Sequence, residues 1–251
     1  MNNRERFSSR VDSYLKYRPS YPKEAIDYLY DIVGLRVNSN IADIGSGTGI
    51  ISKLLLERGS YVVAVEPNQS MREAAEQTLI NSSKFQSTSG SAESTGLPDQ
   101  SVDFIVCAQA FHWFDRSAAQ IEFRRILQPG GKVILIWNSR LTNGTAFREE
   151  YNQLLHTYGT DYNKVNHKNI SQAILLSFFK EGSMHEMRFK MSQEFDFEGL
   201  KGRLLSSSYS PVPGHANYDP MMTELRNLFD KNNQNGLVEF DYETEIFWGE
   251  V

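Results

Sequence analysis

The residues best placed to do chemistry together are Asp43-Ile44-Gly45-Ser46-Gly47-Thr48-Gly49, which continue the apolar run Ile41-Ala42 and lead into a helical pattern. Three alternate glycines allow a tight turn and let a ligand come nearer the backbone than a Cβ would permit. A helix starting there presents free N–H groups and a positive dipole end, so a polar or anionic small molecule is the natural guest. A second group falls in register, because Val63-Ala64-Val65 ends at Glu66, 17 positions after Gly49. In nucleotide-binding βαβ units a carboxylate about 20 residues beyond the turn accepts hydrogen bonds from ribose hydroxyls. The dinucleotide form of the turn needs glycine at position 50; Ile50 argues against NAD or FAD.

Positioning these groups requires strands that end where they stand. From about 22 to 138 short apolar runs alternate with helical patterns, the signature of a parallel sheet covered by helices. The strand runs are Ile41 to Ile44, Tyr61 to Glu66, Lys84 to Ser89, Phe104 to Ala108 and Lys132 to Trp137. Helices are expected near 22–33, 48–58, 69–80 and 116–127, with Pro129-Gly130-Gly131 turning the chain into the fifth strand. Beyond Trp137 come helical patterns near 146–158 and 169–180, then Met184 to Met191, which alternates as a half-exposed strand should. Helices near 197–207 and 220–231 flank the Gly/Ser/Pro-rich loop Ser206 to Asn217, and a last alternating strand runs from Leu237 to Trp248.

On these residues the chain resembles the class I S-adenosylmethionine-dependent methyltransferases, in the small-molecule branch called methyltransferase type 11. The resemblance spans roughly Phe7 to Asn138 and more loosely the two terminal strands. It implies an α/β, Rossmann-like seven-stranded mixed sheet with helices on both faces and an antiparallel last strand. The expected organisation is a single domain over 1–251, with a cofactor-binding core at 22–138, an N-terminal cap at 1–21 and helical lid segments at about 140–180 and 196–235.

The cofactor so implied is S-adenosyl-L-methionine. Its amino acid end would lie against Asp43, Gly45, Ser46, Gly47, Thr48 and Gly49, and its ribose against Glu66. Pro67 and Met71 would flank the adenine. Ser91, Ala92 and Glu93, in Gly90-Ser91-Ala92-Glu93-Ser94-Thr95-Gly96-Leu97-Pro98, would lie beside the same ring, with Glu93 or its neighbouring backbone accepting from the exocyclic amine. The fourth strand ends in Ala108-Gln109-Ala110-Phe111-His112-Trp113-Phe114-Asp115. Open α/β sheets bind ligands beyond the carboxyl ends of strands, so Gln109, Ala110, His112 and Trp113 should face the methyl donor and acceptor. His112 is the candidate general base or orienting donor. Tyr14-Leu15-Lys16-Tyr17-Arg18-Pro19 resembles the family's cap, with Tyr17 and Arg18 toward the methionine carboxylate; an amphipathic face of Phe7, Val11, Tyr14 and Leu15 is the competing reading.

The chain has 251 residues and a formal net charge of −5, so no global positive field gathers polyanions. Nucleic acid is an unexpected partner for a second reason, since no Asp/Asn-Pro-Pro-aromatic motif follows the fourth strand and no Pro-Cys loop occurs. The one cysteine, Cys107, stands in an apolar strand and excludes an internal disulfide. No metal is expected, because His156, His167, His185 and His215 match no zinc spacing. No apolar run approaches a membrane span or a signal-peptide core, which gives the expectation of a cytoplasmic monomer or homodimer with no membrane partner. The partner expected is a small-molecule methyl acceptor, reached by in-line transfer. Two rival functions remain: a non-catalytic protein binding S-adenosylmethionine or S-adenosylhomocysteine, and a nucleotide-dependent oxidoreductase, against which the missing Tyr-x-x-x-Lys pair also counts.

Overall fold

A computed structural model describes residues 11–162 and 169–251. Two expectations, those for Phe7 and His167, lie outside the described residues. Seven strands form one sheet in the order β3-β2-β1-β4-β5-β7-β6. They are β1 Asn40–Ile44, β2 Tyr61–Val65, β3 Phe85–Thr88, β4 Val102–Ala108, β5 Leu127–Arg140, β6 His185–Phe195 and β7 Val238–Gly249. The first five run parallel, while β7 is antiparallel to β5 and to β6. The expected mixed sheet with an antiparallel last strand is therefore present.

The parallel strands are apolar because helices cover both of their faces. One core contains Phe111, Phe123, Trp137 and Phe178, beneath α5 (Arg116–Ile126) and α7 (Gln172–Phe178). On the opposite face Leu29, Leu55, Val62, Val106 and Ile134 pack beneath α2 (Lys23–Tyr28) and α3 (Ile50–Glu57). A third core joins α6 (Ala146–Tyr158), α8 (Phe197–Leu205) and α9 (Tyr218–Asn232) to the outer ends of β6 and β7, through Tyr151, Leu200, Leu225 and Phe240. Helices α6, α8 and α9 thus carry a core of their own. The cap helix α1 (Val11–Tyr17) meets α8 so closely that a Cβ on Gly202 would lie 2.1 Å from the Tyr17 ring.

Two local departures from expectation have physical causes. The helix expected over 22–33 is α-helical only to Tyr28 and continues as a π-helical turn, Leu29–Val33, closed by Gly34 at φ 106°. The Pro129-Gly130-Gly131 segment belongs to β5 itself. Leu127 pairs with Val102 and Lys132 with Phe104, so five residues advance against two, a bulge that Gly130 permits at φ 78°.

Strand order reverses at β1, whose neighbours are β2 and β4, and the crevice beyond the carboxyl ends of these strands is where such sheets bind ligands. The glycine turn, Glu66 and Gln109 all follow strands that open on it.

Candidate functional site

The glycine turn is held from below. Gly45 and Ser46 donate backbone N–H bonds to the Val65 carbonyl, 2.8 and 3.3 Å away. Gly45, Gly47 and Gly49 all have φ between 56° and 80°, the left-handed region that disfavours side chains. Their surroundings differ. A Cβ on Gly45 would lie 2.6 Å from the Ala110 Cβ, one on Gly49 would press on Leu79, and one on Gly47 would meet nothing within 4 Å. Gly45 and Gly49 are therefore needed for packing, whereas Gly47 turns a bare backbone toward open space.

Glu66 braces this turn. Its buried carboxylate accepts the Gly47 N–H with one oxygen and the Asn68 N–H with the other, each at 2.8 Å. Burial raises its pKa, opposed by those two backbone donors and by Arg72. A carboxylate has about four lone-pair sites, so Glu66 retains acceptor capacity for a ligand's hydroxyls. Asn68 caps α4 (Gln69–Leu79) by accepting from the Met71 N–H at 3.0 Å. Beneath the turn, Asp43 is wholly buried. Ser52 donates to one of its oxygens and the other has no partner. Burial drives the Asp43 pKa up to about 7, with the Ser52 hydrogen bond opposing and Glu66 adding to the rise. The Ser46 and Thr48 hydroxyls are also buried and unpartnered.

Above these groups is a cavity of about 500 Å³, within the range of small-molecule and cofactor pockets. Of the residues expected at the site, Gly45, Gly47, Glu66, Pro67, Met71, Ser91, Ala92, Glu93, Gln109, Ala110 and Trp113 line it. Tyr14, Asn68, Ala108 and Phe114, which belong to segments expected near the site but were not chosen individually as its residues, complete the wall. Gln109 holds φ 59°, unusual for a side-chain-bearing residue, and its N–H is fixed to the Ile136 carbonyl at 2.8 Å. Such strain is stored where a site needs one orientation.

Other expected residues lie off the wall. Asp43, Ser46, Thr48 and Gly49 lie in or beneath the turn. Tyr17 packs on Gly202, while Arg18 stacks on Tyr14 at 4.8 Å and donates to the Ser206 carbonyl at 2.9 Å. His112 occupies the short 3-10 turn Phe111–Trp113, where the Trp137 indole N–H reaches its Nδ1 at a long 3.5 Å. One oxygen of Glu93 accepts the Asp115 N–H at 2.9 Å. The Cys107 thiol is buried, and burial raises its pKa well above the ordinary value. Among the described residues no group of three or more His, Cys, Asp or Glu is assembled to hold a metal, and no helix is long and apolar enough to cross a membrane.

A Rossmann-like sheet of this strand order, with a glycine turn after β1 and a carboxylate after β2, defines the class I methyltransferase architecture. Residues 42–135 match the family described as methyltransferase domain. An uncharacterised methyltransferase of Mycobacterium tuberculosis is 42% identical over 134 residues, covering 53% of this chain and 52% of its own length. One from Schizosaccharomyces pombe is 32% identical over 150 residues, covering 59% of this chain and 58% of its own. The chain spans little more than half the length of these curated relatives. A solved chain from Anaeromyxobacter dehalogenans superposes with a TM-score of 0.67 at 20% identity, covering 93% of this chain and 98% of its own. Haemonchus contortus phosphoethanolamine N-methyltransferase 2, solved with S-adenosyl-L-methionine, gives a TM-score of 0.56 at 13% identity, over 99% of this chain and 58% of its own. These two likenesses establish the fold. Beside them, residues 42–135 are similar to the methyltransferase domain family.

Proposed function

We propose that the cavity binds S-adenosyl-L-methionine and that the protein transfers its methyl group to a small-molecule acceptor. The observation that carries the reading is the buried Glu66 carboxylate, fastened to the Gly47 N–H at the lip of a cavity walled by Met71, Ala92, Trp113 and Phe114. A ribose supplies hydroxyl donors for the free capacity of Glu66. An adenine suits the apolar wall of Met71 and Ala92, and an amino acid end suits the bare backbone at Gly47 and the turn above Asp43. The unpartnered buried oxygen of Asp43 favours a cationic group nearby, directly or through water.

When bound, S-adenosylmethionine supplies a methyl group already activated on a sulfonium. The work left to the protein is alignment and exclusion of water. Gln109 and Ala110, held rigidly at the end of β4, line the cavity where an acceptor would meet the donor, and Trp113 and Phe114 keep that region apolar. His112 stands behind this wall, its Nδ1 accepting from the Trp137 indole, and acts by positioning the wall, with no direct proton transfer to or from the acceptor. The test is incubation with methyl-labelled S-adenosylmethionine and a panel of small hydroxy, amino and carboxylic acceptors. Transfer of label with release of S-adenosylhomocysteine is expected. Tight cofactor binding with no transfer to any acceptor or to buffer-extractable metabolites would leave a binding protein instead.

A further inference from the structure

Helix α1 and the third core bring together two arginines, Arg18 and Arg203, that no acid among the described side chains neutralises. Arg203, on α8, is only 6% exposed. Its Nε donates to the Tyr242 hydroxyl at 2.9 Å and one terminal nitrogen to the Ser207 hydroxyl at 3.1 Å, both neutral partners. Arg18, at the end of α1, donates to the Ser206 carbonyl, and its Nε is sealed from solvent without a partner. Among the described residues neither guanidinium forms an ion pair with a carboxylate. Elsewhere in the chain the less buried Arg148 pairs with Asp241.

A buried charge is normally matched by an opposite one, because desolvation is expensive. Here two like charges face one another. Burial lowers the Arg18 pKa and the Arg203 charge lowers it further. Burial alone would raise the Tyr209 hydroxyl, yet the Arg203 and Arg18 charges bring it below its ordinary value. Two guanidiniums and a ring of hydroxyls, with no carboxylate partner among the described side chains, can offer an anion the planar fork of donors that a guanidinium supplies.

The position fits the acceptor. Arg18 stacks on Tyr14, and Tyr14 lines the cofactor cavity. Arg203 lies farther out, over Phe240 and Tyr242 of β7, whereas the glycine turn follows β1. The cofactor's single carboxylate, held at the turn, leaves this second positive centre unanswered. We propose that the methyl acceptor is an oxyanion, a carboxylate or phosphate monoester, which Arg18 and Arg203 clamp between α1 and α8 at the edge of the cofactor cavity. The word acceptor rests on the methyltransferase reading; the anion site itself does not.

The experiment is calorimetric titration of the full chain with glutarate, with phenyl phosphate and with the neutral glutaramide, with and without saturating S-adenosylhomocysteine. At least one anion should bind tenfold or more tightly than glutaramide, and which one binds separates the carboxylate from the phosphate source. Arg203→Gln should weaken that binding at least tenfold while S-adenosylhomocysteine affinity stays within twofold. Arg203→Lys should recover part of it, which keeps the test decisive if the Gln variant misfolds. The proposal is overturned if neither anion binds, if glutaramide binds equally well, or if Arg203→Gln binds the anion unchanged. It also fails if Arg203→Gln weakens S-adenosylhomocysteine as much as the anion, since the clamp would then serve the cofactor's carboxylate. Anion binding without any affinity for S-adenosylhomocysteine would uphold the oxyanion site and sink the methyltransferase reading separately.

Discussion

Replacing Asp43 by Asn should change how stability depends on pH. Asp43 is fully buried, with one oxygen bonded to Ser52 and the other without a partner, and burial lifts its pKa to about 7. In the unfolded chain an aspartate titrates near 3.9, so the folded protein holds a proton that the unfolded chain releases. A raised folded pKa contributes stability that is fully present below about pH 4 and is lost as pH rises through about 7. Three units at about 1.36 kcal/mol each set a ceiling of about 4 kcal/mol. Asp43→Asn keeps an oxygen to accept from Ser52 and removes the titration. Urea unfolding followed by tryptophan fluorescence at pH 4, 5, 6, 7 and 8 measures the difference. The wild type should lose stability relative to the variant between pH 4 and 7, by up to about 4 kcal/mol, and no further above pH 8. Glu66 is also raised, and because its charge couples to Asp43 its own titration shifts slightly in the variant, a smaller effect than loss of the buried Asp43 proton. Parallel pH profiles for the two proteins would refute the assignment of a proton to Asp43.

Gly47→Ala and Gly45→Ala should separate binding from folding. A Cβ at Gly47 meets open space, so the cost is the left-handed backbone alone, about 1–2 kcal/mol in thermal unfolding, with at least a tenfold loss of cofactor affinity. Gly45→Ala drives its Cβ into Ala110 and should destabilise by about 3 kcal/mol or more. Glu122, bonded first by Arg125 and then by Thr95, has its pKa drawn down to about 2. Its contribution is present above about pH 4.5 and lost as pH falls through about 2, so Glu122→Gln should cost about 2–3 kcal/mol at pH 7 and nearly nothing at pH 2. His112→Ala should leave S-adenosylhomocysteine affinity intact and lower turnover by loosening the wall it stands behind; unchanged turnover removes it from the mechanism.

The cofactor half of the molecule was legible in the sequence because its signals are local. Asp43 to Gly49 form one turn, Glu66 ends the next strand, and alternation of apolar runs with helices sets the parallel sheet. What sequence missed arises from contacts between distant segments. Tyr14 rather than Tyr17 lines the cavity because Tyr17 packs on Gly202 of α8, 185 positions away, and no local pattern encodes that pairing. Asn68 had a usable signal, a capping residue immediately before a helical pattern, and its double role as cap and cavity wall follows from the Glu66 hydrogen bond to its backbone. That Arg18 and Arg203 have no carboxylate partner among the described residues was invisible, since a charge looks solvated until the chain has buried it. The early start of β5 escaped for a different reason. Pro-Gly-Gly reads as a turn, and only pairing with β4 reveals a bulge.

The central claim is that Glu66 anchors both the glycine turn and the ribose of S-adenosylmethionine. Its most direct test is calorimetric titration of wild type and Glu66→Ala with S-adenosylmethionine and S-adenosylhomocysteine. Saturable binding to the wild type, weakened by roughly 1–3 kcal/mol in the variant while the fold persists, is the predicted result. Absence of heat with either compound, or equal affinity for both proteins, would contradict it.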